Sequence, residues 1–160
     1  MSTAHHYPHS SSRDATTVLQ PVRAAAVLVA SGFLLVGVLG FVPGVTSHLD
    51  ELTFAGHHGG ALLLGTFAVS VLHNLVHLAF GAAGLVMARR DGGAREFLVV
   101  GGLVYLALWA YGMLIDHDGA ANFIPINNAD NWLHLGLGAA MVLLGMVFGV
   151  RVRRTPVRLD

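Results

Sequence analysis

The positive charges of this chain constrain its architecture more than any other feature. All nine are arginines, and they alternate with four long apolar stretches at residues 22–42, 61–88, 97–115 and 132–150. Arg13 and Arg23 flank the start of the first stretch. Arg89, Arg90 and Arg95 lie between the second and third, and Arg151, Arg153, Arg154 and Arg158 follow the fourth. The other two connections, 43–60 and 116–131, carry no positive side chain and hold Asp50, Glu51, Asp116, Asp118 and Asp130 instead. Cytoplasmic loops are enriched in Lys and Arg. The pattern therefore predicts a multi-pass protein of the cell inner (plasma) membrane, with four spans and both termini in the cytoplasm.

Composition supports this placement. The 160 residues are 54% hydrophobic and only 11% charged, against about 25% charged in a soluble domain. The expected fold is an all-α membrane protein, four transmembrane helices in one antiparallel bundle. Residues 1–20 read as a disordered cytoplasmic tail, 21–153 as the transmembrane domain and 154–160 as a second cytoplasmic tail. The first apolar run is longer than a signal-peptide core and lacks a small-x-small cleavage site, so it is expected to be retained. The formal net charge is zero, which gives no electrostatic reason for nucleic acid as a partner. The bilayer is the expected partner, and membrane-protein partners or a homo-oligomer remain open. No cysteine is present, which removes disulfides, thiolate metal sites and a Cys nucleophile.

Local signals set the element ends. Pro21 suits a first helical turn and Pro43-Gly44 closes the first helix. Ser47 before His48-Leu49-Asp50-Glu51 suggests a capped interfacial turn. Counting about 20 residues back from Arg89 starts the second span near Val69, so residues 59–68 should protrude or continue that helix outside the bilayer. The third helix is expected over 97–115, with Tyr105, Trp109 and Tyr111 as an interfacial belt. The fourth should begin at Asn131 or Trp132, capped by Asn128 or Asp130. Glycines in the first and fourth helices, including the Gly145/Gly149 pair, point to close helix packing. No internal duplication is evident.

Ionisable groups within a span are costly and mark function. The second span contains Ser70, His73, Asn74 and His77 in the run S-V-L-H-N-L-V-H. His73 and His77 share a helical face that continues to Gly81 and Gly84. By the helical rise, His73 lies ~6 Å and His77 ~12 Å inside the outer boundary, and His134 has similar depth. One outward-facing cluster of His73, His77, His134 and Asp116 is thus expected, bordered by His48, His57, His58, Asp118 and Asp130. Such a set matches a divalent metal site. It also matches haem b held by His134 and a helix-2 histidine, a proton relay, or a purely structural polar network of Ser70, Asn74, Asn128, Asp130 and Asn131. The amide-rich segment from Asn122 to His134 reads as a cap and interfacial anchor, or as a loop that closes over the cluster with Phe123. His5, His6 and His9 read as part of the tail.

The runs T-F-A-G-H, V-L-H-N-L-V-H-L-A-F-G and A-A-N-F-I-P-I-N-N-A-D-N-W-L-H-L-G-L-G resemble the domain-of-unknown-function 4383 family over residues 22–150. The resemblance implies a small four-span membrane protein of actinobacterial type and no activity. His73, Asn74, His77, Asp130, Asn131, Trp132 and His134 match its motifs and become the candidates for whatever the family does. Ser70 lies near His73, yet no nucleophile elbow surrounds it. The expectation is therefore a non-enzymatic binding or accessory subunit.

Overall fold

The computed structural model of the protein describes residues 20–149. The tail features lie outside the described residues: His5, His6, His9 and Arg13 at one end, and Arg151, Arg153, Arg154 and Arg158 at the other. Four α-helices dominate: α1 (Pro21–Leu39), α2 (Val71–Met87), α3 (Asp91–Leu114) and α4 (Asn128–Phe148). Between α1 and α2 lie three two-residue strands, β1 (Thr46–Ser47), β2 (Leu62–Leu63) and β3 (Phe67–Ala68). The fold is all-helical apart from this small sheet. Helices α1, α3 and α4 are long and apolar enough to cross a membrane. Helix α2 is equally apolar but has 17 residues, about 26 Å of rise.

Glycine decides how the helices meet. Helices α1 and α2 run antiparallel: Gly37, near the end of α1, abuts Leu78 and the Asn74 carbonyl, while the Arg23 Nε at its start donates to Ala88 O at 2.9 Å. A Cβ on Gly81 would sit 2.8 Å from Ala30 O, so only hydrogen fits there. The α3/α4 pair closes the same way, with Gly102 against the Gly138 carbonyl and Gly145 against Leu98 and Val99. Small residues let helix backbones approach in an apolar solvent where burial of apolar surface drives nothing. The outward faces carry Leu28, Leu35, Leu103, Leu143 and Val147, all more than half exposed. Apolar side chains outside and glycine inside is the arrangement a lipid environment favours.

The two hairpins meet through an aromatic core. Phe33 of α1 touches Phe80 of α2 and Tyr105 of α3, at ring-centroid distances of 4.9 and 5.2 Å. Ala26, Ala30, Leu98 and Met141 are fully buried around them.

Several boundaries differ from expectation. Residues 59–68 do not extend α2. They supply β2 and β3, and β2 pairs antiparallel with both β1 and β3. Leu64 and Gly65, both at positive φ, make the turn between β2 and β3, a conformation that ends any helix. Ser47 caps nothing, because its Oγ donates to Leu62 O at 3.1 Å and ties β1 to β2. The short 3-10 turn Leu49–Glu51 starts instead from His48 in the left-handed region. Helix α3 begins at Asp91, before the expected Phe97, since an acidic residue suits a first turn whether or not it is apolar. Helix α4 begins at Asn128, and its cap is Asn127, neither Asn128 nor Asp130.

Candidate functional site

Two helix starts build the polar site. Ser70 N-caps α2, its Oγ accepting from the His73 N–H at 3.1 Å. Asn127 N-caps α4 in a capping box: its Oδ1 accepts from Asp130 N at 3.0 Å, and Asp130 Oδ2 accepts from Asn127 N at 2.9 Å. The same Asp130 oxygen accepts the Ala68 N–H at 3.0 Å, which fastens β3 to α4. Asn127 adds a second tie by donating to Thr66 O at 2.8 Å. These caps fix the first turns that present His73, His77 and His134.

His73, His77 and His134 line one common cavity. The His73 and His77 rings lie 4.6 Å apart, His77 stacks on Phe33 at 5.8 Å, and His134 meets Tyr105 edge-on at 5.1 Å. His73 and His134 are buried. The Nδ1 atoms of all three are shielded and have no hydrogen-bond partner among the described residues. A buried polar atom left without a partner costs about 1–3 kcal/mol, so three on one wall are a notable expense for a bundle this small.

The expected metal set does not assemble. Asp116 is exposed, and its Oδ1 accepts from Asp118 N at 3.1 Å. It follows the last turn of α3, which carries it away from the imidazoles. Among the described residues no group of three or more His, Asp or Glu side chains is placed to hold a metal ion. The expected polar network is also divided. Asn74 and Asn131 are buried in the two hairpin seams, against Gly40 and Gly112, with neither amide partnered. Asn128 is exposed on the first turn of α4. Ser70 serves as a cap, and Asp130 alone of that group lines the cavity that the three histidines share. Among the bordering loop residues, the His57 and His58 rings lie 3.9 Å apart, tilted by 45°.

Cavities flank the cluster on two sides. The larger, about 290 Å³, lies between α1 and α4 beneath the β2–β3 turn. Val29, Phe33, Val36, Leu133 and Leu137 form its apolar walls, and His73, His77, Asp130 and His134 its polar end. The smaller, about 100 Å³, lies between α2 and α3 under residues 121–126 and shares His73, His77, Tyr105 and His134 with the first. That covering loop is organised by buried Asn122, whose Nδ2 donates to His117 O at 2.9 Å and Ile126 O at 3.0 Å. Sequence reasoning missed two of these residues. Tyr105 looked interfacial but is buried at the centre, a distinction that hydropathy does not carry. Asn122 was read within an amide-rich run, and only its hydrogen bonds single it out.

A family model described as "Domain of unknown function (DUF4383)" matches residues 23–147. The chain belongs to this DUF4383 family. The match spans all four helices and every residue of the site, so the histidine cluster lies inside the DUF4383 domain. No curated protein and no solved structure matches the chain.

Proposed function

We propose that this DUF4383 protein is a non-enzymatic, four-span protein of the plasma (inner) membrane, with both termini cytoplasmic, that binds a small lipophile between α1 and α4. It would act as a binding or accessory subunit, alone or beside other membrane proteins. One observation carries the reading. An apolar cavity of about 290 Å³ ends on three imidazoles whose Nδ1 atoms have no hydrogen-bond partner among the described residues. Binding pockets are mostly apolar with a few convergent polar groups, and this cavity has that make-up. An apolar cavity of about 150 Å³ accommodates benzene, so this one matches a two-ring molecule. A hydrogen-bonding edge on such a ligand would meet the polar end of the cavity, which His73, His77, Asp130 and His134 line.

The test starts from untagged protein purified in mild detergent without chelator. Organic extraction and mass spectrometry should recover a co-purified lipophile near one per chain, depleted in His77→Ala. Elemental analysis should find no stoichiometric metal, and the visible spectrum no Soret band. A stoichiometric metal or a Soret band lost in His77→Ala would replace this reading with the metal or haem one.

A further inference from the structure

The two hairpins correspond residue by residue. Helix α3 repeats α1 after a shift of 72 positions, and α4 repeats α2 after a shift of 57. The second connection is shorter because it lacks the sheet. In sequence, H-N-L-V-H-L-A-F-G-A-A from His73 matches D-N-W-L-H-L-G-L-G-A-A from Asp130, and Arg23, Leu34 and Gly40 match Arg95, Leu106 and Gly112. The caps correspond, Ser70 with Asn127, each accepting from the third residue of its helix. The buried residues of α2 are His73, Asn74, Gly81 and Gly84, and their equivalents Asp130, Asn131, Gly138 and Met141 are all buried in α4.

Shared helical periodicity cannot produce the agreement at the seams. A Cβ on Gly81 would meet Leu34 Cγ, Ala30 O and Leu34 N at 2.7, 2.8 and 2.9 Å. A Cβ on Gly138 would meet the equivalent atoms, Leu106 Cγ, Gly102 O and Leu106 N, at 3.0, 2.9 and 3.0 Å. Gly40 abuts the Asn74 amide as Gly112 abuts that of Asn131. The equivalent residues Phe33 and Tyr105 touch each other, which places the relating axis between them. Each also contacts the histidine of its own repeat, His77 or His134.

The clefts follow the same relation. Phe33, Val36, Leu133 and His134 line the larger, and their equivalents Tyr105, Leu108, Val76 and His77 line the smaller. Two exchanges distinguish the helix walls of the clefts. Gly32 lines the larger cleft where the second repeat has Val104, and Leu137 lines it where the first repeat has Phe80. Phe80 is directed into the aromatic core, with its ring 4.9 Å from Phe33 and 5.9 Å from Tyr105.

We infer that the protein is two copies of one helical hairpin about a pseudo-two-fold axis through the histidine site, with the α1/α4 cleft kept wide for the lipophile and the equivalent α2/α3 cleft kept narrow by the bulkier Phe80 and Val104. Parallel repeats of this kind place binding sites at their interface. The inference rests on the proposed lipophile binding, and the experiment separates the two. Full-length protein in detergent is photolysed with a diazirine-bearing 1-naphthol, and adducts competed by excess 1-naphthol are counted by intact mass and mapped. Wild type should give one, on α1 or α4. Gly32→Val with Leu137→Phe should give none. A Cβ at Gly32 meets nothing within 4 Å, so the valine adds bulk without straining the helix. Phe80→Leu with Val104→Gly should give two, the second on α2 or α3. No competed adduct on wild type would overturn lipophile binding itself. One adduct on wild type and still one on the opened variant, with an unchanged melting curve, would overturn the equivalence alone. If the double opening unfolds, Phe80→Leu by itself is scored by the same criterion.

Discussion

Asp130 offers the sharpest test of how the site is held. One carboxylate oxygen, Oδ2, receives both the Asn127 and the Ala68 N–H groups. The first bond closes the capping box of α4, and the second fastens the sheet over the larger cavity. Asp130 is 3% exposed, so water cannot readily replace the lost acceptor. In Asp130→Ala two part-buried donors lose their partner, at up to about 1–3 kcal/mol each, and the reciprocal cap is broken. Allowing for relaxation, the variant should lose roughly 2–4 kcal/mol. Asp130→Asn can place its single carbonyl oxygen where Oδ2 stands and keep both bonds, so its loss should stay below about 1.5 kcal/mol. The assay is reversible unfolding in mixed micelles, followed by circular dichroism, with Asp116→Ala as the exposed-carboxylate control. The control should stay within about 0.5 kcal/mol of wild type. If Asp130→Ala unfolds no more readily than Asp116→Ala, the carboxylate does not clamp β3 to α4 and the reasoning fails. If Asp116→Ala is the more damaging, the original four-ligand cluster regains its standing.

Other substitutions probe the seams and the loop. Gly81→Ala and Gly138→Ala should each destabilise by about 1–3 kcal/mol, because the added methyl meets backbone atoms under 3.0 Å or close to it; a difference of more than about twofold between them would speak against equivalent seams. Gly32→Ala and Gly136→Ala should be neutral or stabilising by up to about 1 kcal/mol, since neither new Cβ meets anything within 4 Å, and the same unfolding assay reads both. Asn122→Ala removes three hydrogen bonds to the backbone of residues 117–126; amide exchange at Ile126 should accelerate at least tenfold while α1 exchange stays unchanged.

The helices were legible because apolar length and arginine placement are one-dimensional signals. Helical spacing also places His73 and His77 on one face, and their ring centroids lie 4.6 Å apart. What failed was the segment between α1 and α2. Residues 59–68 are apolar enough to read as helix, and only the left-handed turn at Leu64-Gly65 and the partners across the sheet make them strands. Asp116 was assigned to the cluster by its position at a helix end. Its direction depends on where α3 stops, and hydropathy locates a helix end only to within a few residues. Asp130 takes that place because a capping box aims its carboxylate back at its own helix start. The repeat escaped notice because its two helices need different shifts, so no single offset aligns the halves.

The sheet fills the longer of the two connections. The second helix of each hairpin starts at an equivalent position with a cap and a buried asparagine, Ser70 and Asn74 or Asn127 and Asn131, and only the first has strands before it. Backbone groups near lipid cannot be left open, and the three-stranded pairing satisfies them internally. The edge N–H of Ala68, which no strand covers, is received by Asp130 of the other hairpin. One carboxylate thus joins the two repeats at the mouth of the larger cleft. Its equivalent in the first repeat is His73, which lines both cavities. Divergence at this pair gives one repeat a carboxylate clamp and the other an imidazole at the junction of the two clefts.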